Sequence, residues 1–317
     1  MRVIYFGSGD FAVPSLRWLK NSRHEVLLVV TQPDRPAGRG KVLQPTPTAE
    51  RAEVEGLPVL KFENVNAPEV VEQLAVLQAD IGVVAAFGQK ILEPVRSVFR
   101  LGCINLHGSL LPKFRGASPI VGAILAGERK TGVTVFRLVD RMDAGPILLK
   151  RETMIGPTET AGELHDRLAS VACDAIGSAL DLLERDPTAG EPQDESQASV
   201  AKKLKKVDGY LRFDESAEQL ALRVRALWPW PATRCRFVPA DAAKRPVEIS
   251  LVVASAVPVV VKDPPGTILP TLTVATGQGA LEIYSVQPAG SKLMSWQEFV
   301  NGRRVQPGDR LEPVLPA

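Results

Sequence analysis

Short, wholly apolar runs alternate along the first part of the chain with longer segments of mixed polarity. Val3-Ile4-Tyr5-Phe6, Val26–Val30, Asp80–Ala86 and Cys103–His107 have the length and composition of buried strands. Helical spacing predicts helices from Asp10 or Val13 to Lys20, over Asn66–Leu77 and over Ala117–Ala126. Such alternation implies a mostly parallel sheet covered on both faces. Gly132–Arg137 and Ile147–Lys150 predict two more strands. Thr160-x-x-Glu163 has the form of a capping box, and Leu164, Leu168, Val171, Ala175 and Leu182 line one face of a helix that ends near Glu184.

The pattern then changes. Residues 186–205 are polar, carry Pro187, Gly190 and Pro192, and end in the basic run Lys202-Lys203-Leu204-Lys205-Lys206, which reads as a linker. Past it, one helix over Ala217–Ala226 precedes β-type segments at Thr233–Val238, Val247–Ala254, Thr267–Ile268, Leu272–Thr276 and Ala280–Val286. Short strands with turn signals and no helices between them predict a small barrel. The expected fold is α/β: a Rossmann-like, mostly parallel sheet domain over 1–185, the linker 186–205, and a small OB-like β-barrel domain over 206–317.

Composition narrows this picture in a few places. The chain has 317 residues, 45% hydrophobic and 23% charged, enough for two cores. Its net charge is +2, and from Lys206 onward 13 Lys/Arg stand against 11 Asp/Glu, so the excess falls in the last third. Cys103, Cys173 and Cys235 show no CxxC spacing, and His24, His107 and His165 are the only histidines. Neither a metal site nor a disulfide framework is expected, which suits a reducing cytoplasm. The longest apolar run, Ile249–Val261, holds Ser250, Ser255 and Pro258 and is too short to span a bilayer. With a first strand that opens directly at the start, the chain reads as cytoplasmic.

Candidate chemistry concentrates at the fourth apolar run. Period-two alternation puts Asn105 and His107 on one face of that strand and Ile104 and Leu106 on the other. An amide and an imidazole at the carboxyl end of an apolar strand lie where α/β sheets bind ligands. Gly7-x-Gly9-x-x-Ala12 matches the dinucleotide fingerprint, but the second strand runs into Val30-Thr31-Gln32 with no acid to hold a ribose. A tight strand-to-helix turn explains the glycines as well, and a nicotinamide enzyme is the weaker reading. Thr31–Pro47 spans 17 residues where about 2–6 are usual. Its four prolines and Arg35, Arg39 and Lys41, against the single acid Asp34, describe a solvated loop or a mobile basic arm for a polyanion. Asp143-Ala144-Gly145 reads as a turn until Asp143 has a partner. His165, beside the apolar stripe of its helix, reads as structural.

The stretch CINLHGSLLPKFRGASPI, from Cys103 to Ile120, closely resembles the folate-dependent formyltransferases. That family shares an Asn-x-His strand, a Ser-Leu-Leu-Pro loop and a downstream Asp. TQPDRPAGRGK at Thr31–Lys41, PWP at Pro229–Pro231 and SVQPAGSKLMSWQEFVNGRR at Ser285–Arg304 are similar to the branch acting on methionyl-tRNA. The resemblance runs over nearly the whole chain. It implies a catalytic trio of Asn105, His107 and Asp143, and a formyl-folate loop of Ser109, Leu110, Leu111 and Pro112. It also implies tRNA contacts at Arg35, Arg39, Lys41 and Lys206. The implied reaction carries the formyl group of 10-formyltetrahydrofolate to the α-amino group of methionine on initiator methionyl-tRNA. The implied enzyme is a monomer that uses neither metal nor membrane. Asn105 is expected to donate to the developing oxyanion, and His107 to orient or protonate at the tetrahedral centre. Asp143, if within hydrogen-bonding reach of His107, would hold its tautomer and help to take the proton from the amine, and the sequence leaves open which of the two accepts it. The alternative keeps the trio but delivers formyl to a small amine or to water; a non-catalytic RNA-binding module would not require the trio at all. Two departures stand out: Leu211-Arg212-Phe213 where the family has Ile-Asp-Trp, and Gly7-Ser8-Gly9 in place of Gly-Thr-Pro.

Overall fold

The structure is a computed structural model and describes residues 1–37, 40 and 42–314. The chain begins with strand β1 (Arg2–Gly7), helix α1 (Ala12–Lys20) and strand β2 (Glu25–Thr31). A short hairpin, β3 (Arg35–Ala37) and β4 (Val42–Gln44), leads to α2 (Pro47–Val54), β5 (Val59–Lys61), α3 (Pro68–Val76) and β6 (Ile81–Ala85). Next come α4 (Glu93–Arg96), β7 (Cys103–His107), β8 (Arg115–Gly116), α5 (Pro119–Leu125), β9 (Lys130–Arg137), β10 (Ile147–Met154), α6 (Ala161–Arg185) and β11 (Val200–Ala201). The remaining elements are α7 (Ala217–Ala226), β12 (Cys235–Val238), β13 (Val247–Val257), β14 (Val274–Ala275), β15 (Ala280–Pro288), β16 (Met294–Ser295), α8 (Trp296–Arg303) and β17 (Arg310–Pro313).

Seven strands form one sheet in the order β10-β9-β7-β6-β1-β2-β5. The five from β7 to β5 are parallel, and β9 runs antiparallel to both β7 and β10. The mostly parallel, Rossmann-like sheet read from the apolar runs is therefore present. Its core on one face gathers Ile4, Phe6, Val30, Leu74, Val84, Phe87, Phe99 and Cys103. Burying runs of Val, Ile and Phe on both faces is what lets the sheet omit alternation. Gly7 is required by close packing: a Cβ there would lie 2.9 Å from the Ala12 Cβ and 2.9 Å from the Tyr5 ring.

The last third closes a barrel. The sheet β14-β15-β13-β12-β17 is antiparallel, with β16 paired to β15. Thr267 bridges to Arg310 and Ile268 to Val274, so this short stretch joins β17 back to β14. Leu211 and Phe213 lie in the barrel core while Arg212 is exposed and paired with Asp214 at 2.8 Å. The departure at this position thus keeps an apolar–charged–apolar alternation.

One expectation is corrected. A helix, α8, does interrupt the barrel strands; Ser295 caps it, accepting from Glu298 N–H at 3.2 Å, while Trp296, Phe299 and Val300 fill the core. Within the arm, β3 pairs with β4. The chain forms two compact units: one is Met1–Pro119, Lys130–Met154 and His165–Ala201, and the other is Ile120–Arg129, Ile155–Leu164 and Lys202–Ala317. Within the stretch before Ala201, Glu191 bridges Ile147 and β11 pairs with β8.

Candidate active site

β7 delivers Asn105 and His107 to one face of the sheet, with Ile104 and Leu106 buried on the other. Asn105 is partly exposed, and among the described residues its amide makes no hydrogen bond. His107 is 6% exposed and packs edge-on against the Phe136 ring. Its Nε2 lies 2.9 Å from the Phe114 carbonyl oxygen. A carbonyl can only accept, so Nε2 carries the proton, and in the neutral ring the Nδ1 lone pair is free.

That free nitrogen lies 3.8 Å from Asp143 Oδ2. The separation is ion-pair range but too long for a hydrogen bond. The Phe114 carbonyl, and not Asp143, therefore sets the His107 tautomer. Asp143 Oδ2 accepts instead from the Gly116 N–H at 2.7 Å. Phe114 and Asp143 both adopt left-handed backbone, with φ 61° and 53°. Such conformations persist where surrounding contacts over-determine them.

The Ser109–Pro112 loop is closed on itself. Ser109 Oγ donates to the Lys113 carbonyl at 2.7 Å, and buried Thr134 donates to the Ser109 carbonyl at 2.7 Å. Thr134 Oγ1 also accepts from the Leu111 N–H at 3.1 Å. Ser109, Leu111 and Pro112 are buried and Leu110 is partly so. The Leu111–Pro112 peptide is cis.

Residues that the sequence did not single out surround this pair. Arg115, 5% exposed, donates from Nη2 and Nε to Gln193 Oε1 at 2.7 and 3.1 Å, and to both Glu195 oxygens at 2.8 and 3.0 Å. The Arg115 hydrogen bond holds the Glu195 carboxyl below its usual range. Gln193 Nε2 donates to the Asp143 and Gly145 carbonyls, each at 2.8 Å. Sequence offered no signal for them, since these bonds join residues 48 to 80 positions apart.

Of the expected tRNA contacts, Arg35 is exposed and paired with Glu63 at 2.7 Å; Arg39 and Lys41 lie outside the described residues; Lys206 is exposed in a short 3₁₀ turn, Lys206–Gly209. His165 packs on Phe11 and faces Asp166 at 2.9 Å, in keeping with a structural place. The first strand-to-helix turn argues against a dinucleotide: the N–H groups of Ser8 and Gly9 both donate to the Ala86 carbonyl, at 3.2 and 3.1 Å. A pyrophosphate would have to take those donors from it. Among the described residues, no group of three or more His, Cys, Asp or Glu is placed to hold a metal, and no helix is long and apolar enough to cross a membrane.

Comparison with known proteins gives a consistent account. The formyl transferase family model matches residues 1–180, and the model of the formyl transferase C-terminal domain matches 203–304. The methionyl-tRNA formyltransferase of Methylococcus capsulatus is 42% identical over 314 residues, covering 98% of this chain and 99% of the relative. That of Halorhodospira halophila is 41% identical over 317 residues, covering 99% of each. The solved structure of an N-formyltransferase from Helicobacter canadensis, in complex with folinic acid and dTDP-3-aminofucose, superposes with a TM-score of 0.64 at 16% identity, covering 89% of this chain and 97% of that one, a likeness of fold. The chain belongs to the formyl transferase family, and within it to the methionyl-tRNA formyltransferases.

Proposed function

We propose that this protein transfers the formyl group of 10-formyltetrahydrofolate to the α-amino group of methionine on initiator methionyl-tRNA. The observation that carries the chemistry is the pairing on one face of β7 of an Asn105 amide unengaged among the described residues with His107, whose Nδ1 faces the Asp143 carboxylate at 3.8 Å. The choice of acceptor is supported by full-length similarity to relatives of that name.

The formyl donor is a substrate, and the residues act on its reacting carbon. Asn105 donates its amide N–H to the formyl oxygen as negative charge develops there, a contribution of about 3–4 kcal/mol for a well-placed donor. His107 accepts the proton of the attacking amine at Nδ1 and returns it to N10 as the carbon–nitrogen bond breaks. Asp143 faces the same nitrogen and stabilises the imidazolium that forms between these steps. The loop of Ser109, Leu110, Leu111 and Pro112 forms the wall against which the folate lies. Arg35, Arg39, Lys41 and Lys206 contact the tRNA, with 1–185 as the catalytic domain and 206–317 as the tRNA-binding domain. The enzyme works as a cytoplasmic monomer, without a metal.

Incubating the protein with labelled 10-formyltetrahydrofolate and charged tRNA tests this reading. Formylmethionyl product on initiator tRNA, with little on elongator tRNA, is expected. Label released only to water or to a small amine would favour the alternative acceptor.

A further inference from the structure

The two residues that present the proposed proton-handling pair are held from one short segment, Gln193–Ser199. Phe114 offers its carbonyl to His107, and its own N–H donates to Ser199 Oγ at 2.9 Å. Ser199 also accepts the Arg115 N–H at its carbonyl at 2.8 Å, and donates its N–H to the Pro112 carbonyl at 3.3 Å. On the other side, the Asp143 carbonyl accepts from Gln193 Nε2. Phe114 and Asp143 are both left-handed non-glycine residues, so neither backbone rests in its preferred conformation without support.

The Gln193 amide has one workable orientation. Both of its N–H groups are used, on the Asp143 and Gly145 carbonyls, and its oxygen accepts twice from Arg115. A flipped amide would set its oxygen against two carbonyls and its NH₂ against a guanidinium. Arg115 stands next to Phe114 in sequence, and Arg141, two residues before Asp143, meets Glu195 at 2.9 Å. The loops bearing Phe114 and Asp143 are thereby joined through Gln193–Ser199 into a closed circuit.

We propose that Gln193 and Ser199 are positioning residues for formyl transfer, fixing the placement of Asp143 and of His107 respectively. The proposal rests on the reading of His107 and Asp143 as the pair that handles the proton. Gln193 acts through the backbone of Asp143, and Ser199 through the Phe114 carbonyl that sets the His107 tautomer. Neither side chain reaches the reacting atoms.

The test uses the full-length protein, with steady-state formylation of initiator methionyl-tRNA over a range of both substrates and single-turnover rates at saturating 10-formyltetrahydrofolate. Gln193→Glu is close in shape but lacks the two donors; it should lower kcat by roughly 10–100-fold while both KM values stay within about twofold. Ser199→Ala should behave alike, and Ser199→Thr, which keeps the hydroxyl, should recover most of the rate. In double variants, Gln193→Glu should cost nothing further on top of Asp143→Ala, nor Ser199→Ala on top of His107→Ala. Additive losses, or a rise in KM with kcat unchanged, would overturn the positioning role. Should Gln193→Glu not fold, as judged by circular dichroism, the Ser199 cycle decides alone. Asp143→Ala and His107→Ala retaining full rate would instead bring down the reading of the pair.

Discussion

Gly145→Ala perturbs the candidate site through the backbone packed against Gly145. A Cβ at this position would lie 1.8 Å from the Arg137 carbonyl oxygen and 2.9 Å from its carbon. Both belong to the backbone at the end of β9, so no rotamer change relieves the contact. Restoring a separation of 3.0 Å needs at least about 1.2 Å of backbone movement. The neighbouring strand is pinned there, because the Arg137 N–H donates to the Pro146 carbonyl at 2.9 Å. The movement therefore passes into the turn that carries Asp143, two residues upstream. Overpacking of this kind costs about 1–3 kcal/mol, equivalent to a fall of roughly 2–12 °C in the midpoint of the unit concerned. A displacement of about 1 Å at a catalytic group can cost 10²-fold in rate. Differential scanning calorimetry and single-turnover formylation on the same preparation measure the two effects. A variant that kept both its midpoint and its rate would show that the Arg137 carbonyl does not constrain the Asp143 turn.

Asn105→Ala should lower kcat by roughly 10²–10³ with folate binding nearly intact, measured by single-turnover rates and a folate titration. Arg225 is 8% exposed and donates to the Gly156 and Glu159 carbonyls at 3.0 and 3.3 Å. Arg225→Met should destabilise its unit by about 1.5–3 kcal/mol, read from urea unfolding, with no change in a folate titration. Arg39→Ala should raise the KM for tRNA, and Lys41→Ala should reduce the log–log salt slope by roughly 0.7–0.9 per lost phosphate contact; unchanged values in both would return the arm to a solvated loop. Asp80 is held below its usual range first by the Arg2 N–H at 2.8 Å, and also by Arg100. Because its folded pKa is depressed, its contribution is complete above the ordinary value of 3.8 and is lost as pH falls through the folded value. Asp80→Asn should accordingly flatten the acid limb of the thermal midpoint against pH.

The order of the longer elements was legible because buried strands and amphipathic helices leave local patterns: Ala217–Ala226 matches α7 in full, and the helices expected at α1, α3, α5 and α6 shift by a few residues. The one-face placement of Asn105 and His107 followed from strand periodicity alone. Short elements were not legible. β5 has three residues at the sheet edge, too few for a period, and α8 was missed although Ser295-x-x-Glu298 carried its capping signal. Sequence determined which groups are available at the end of β7. Tertiary structure decided their states: which nitrogen of His107 is free, that Asp143 faces it without bonding to it, and that Gln193 and Ser199 brace both. Those decisions rest on hydrogen bonds to backbone groups, from the Phe114 carbonyl seven residues from His107 to the Phe114 N–H 85 residues from Ser199, and a backbone group is the same in every residue, so no side-chain pattern announces where one will be needed.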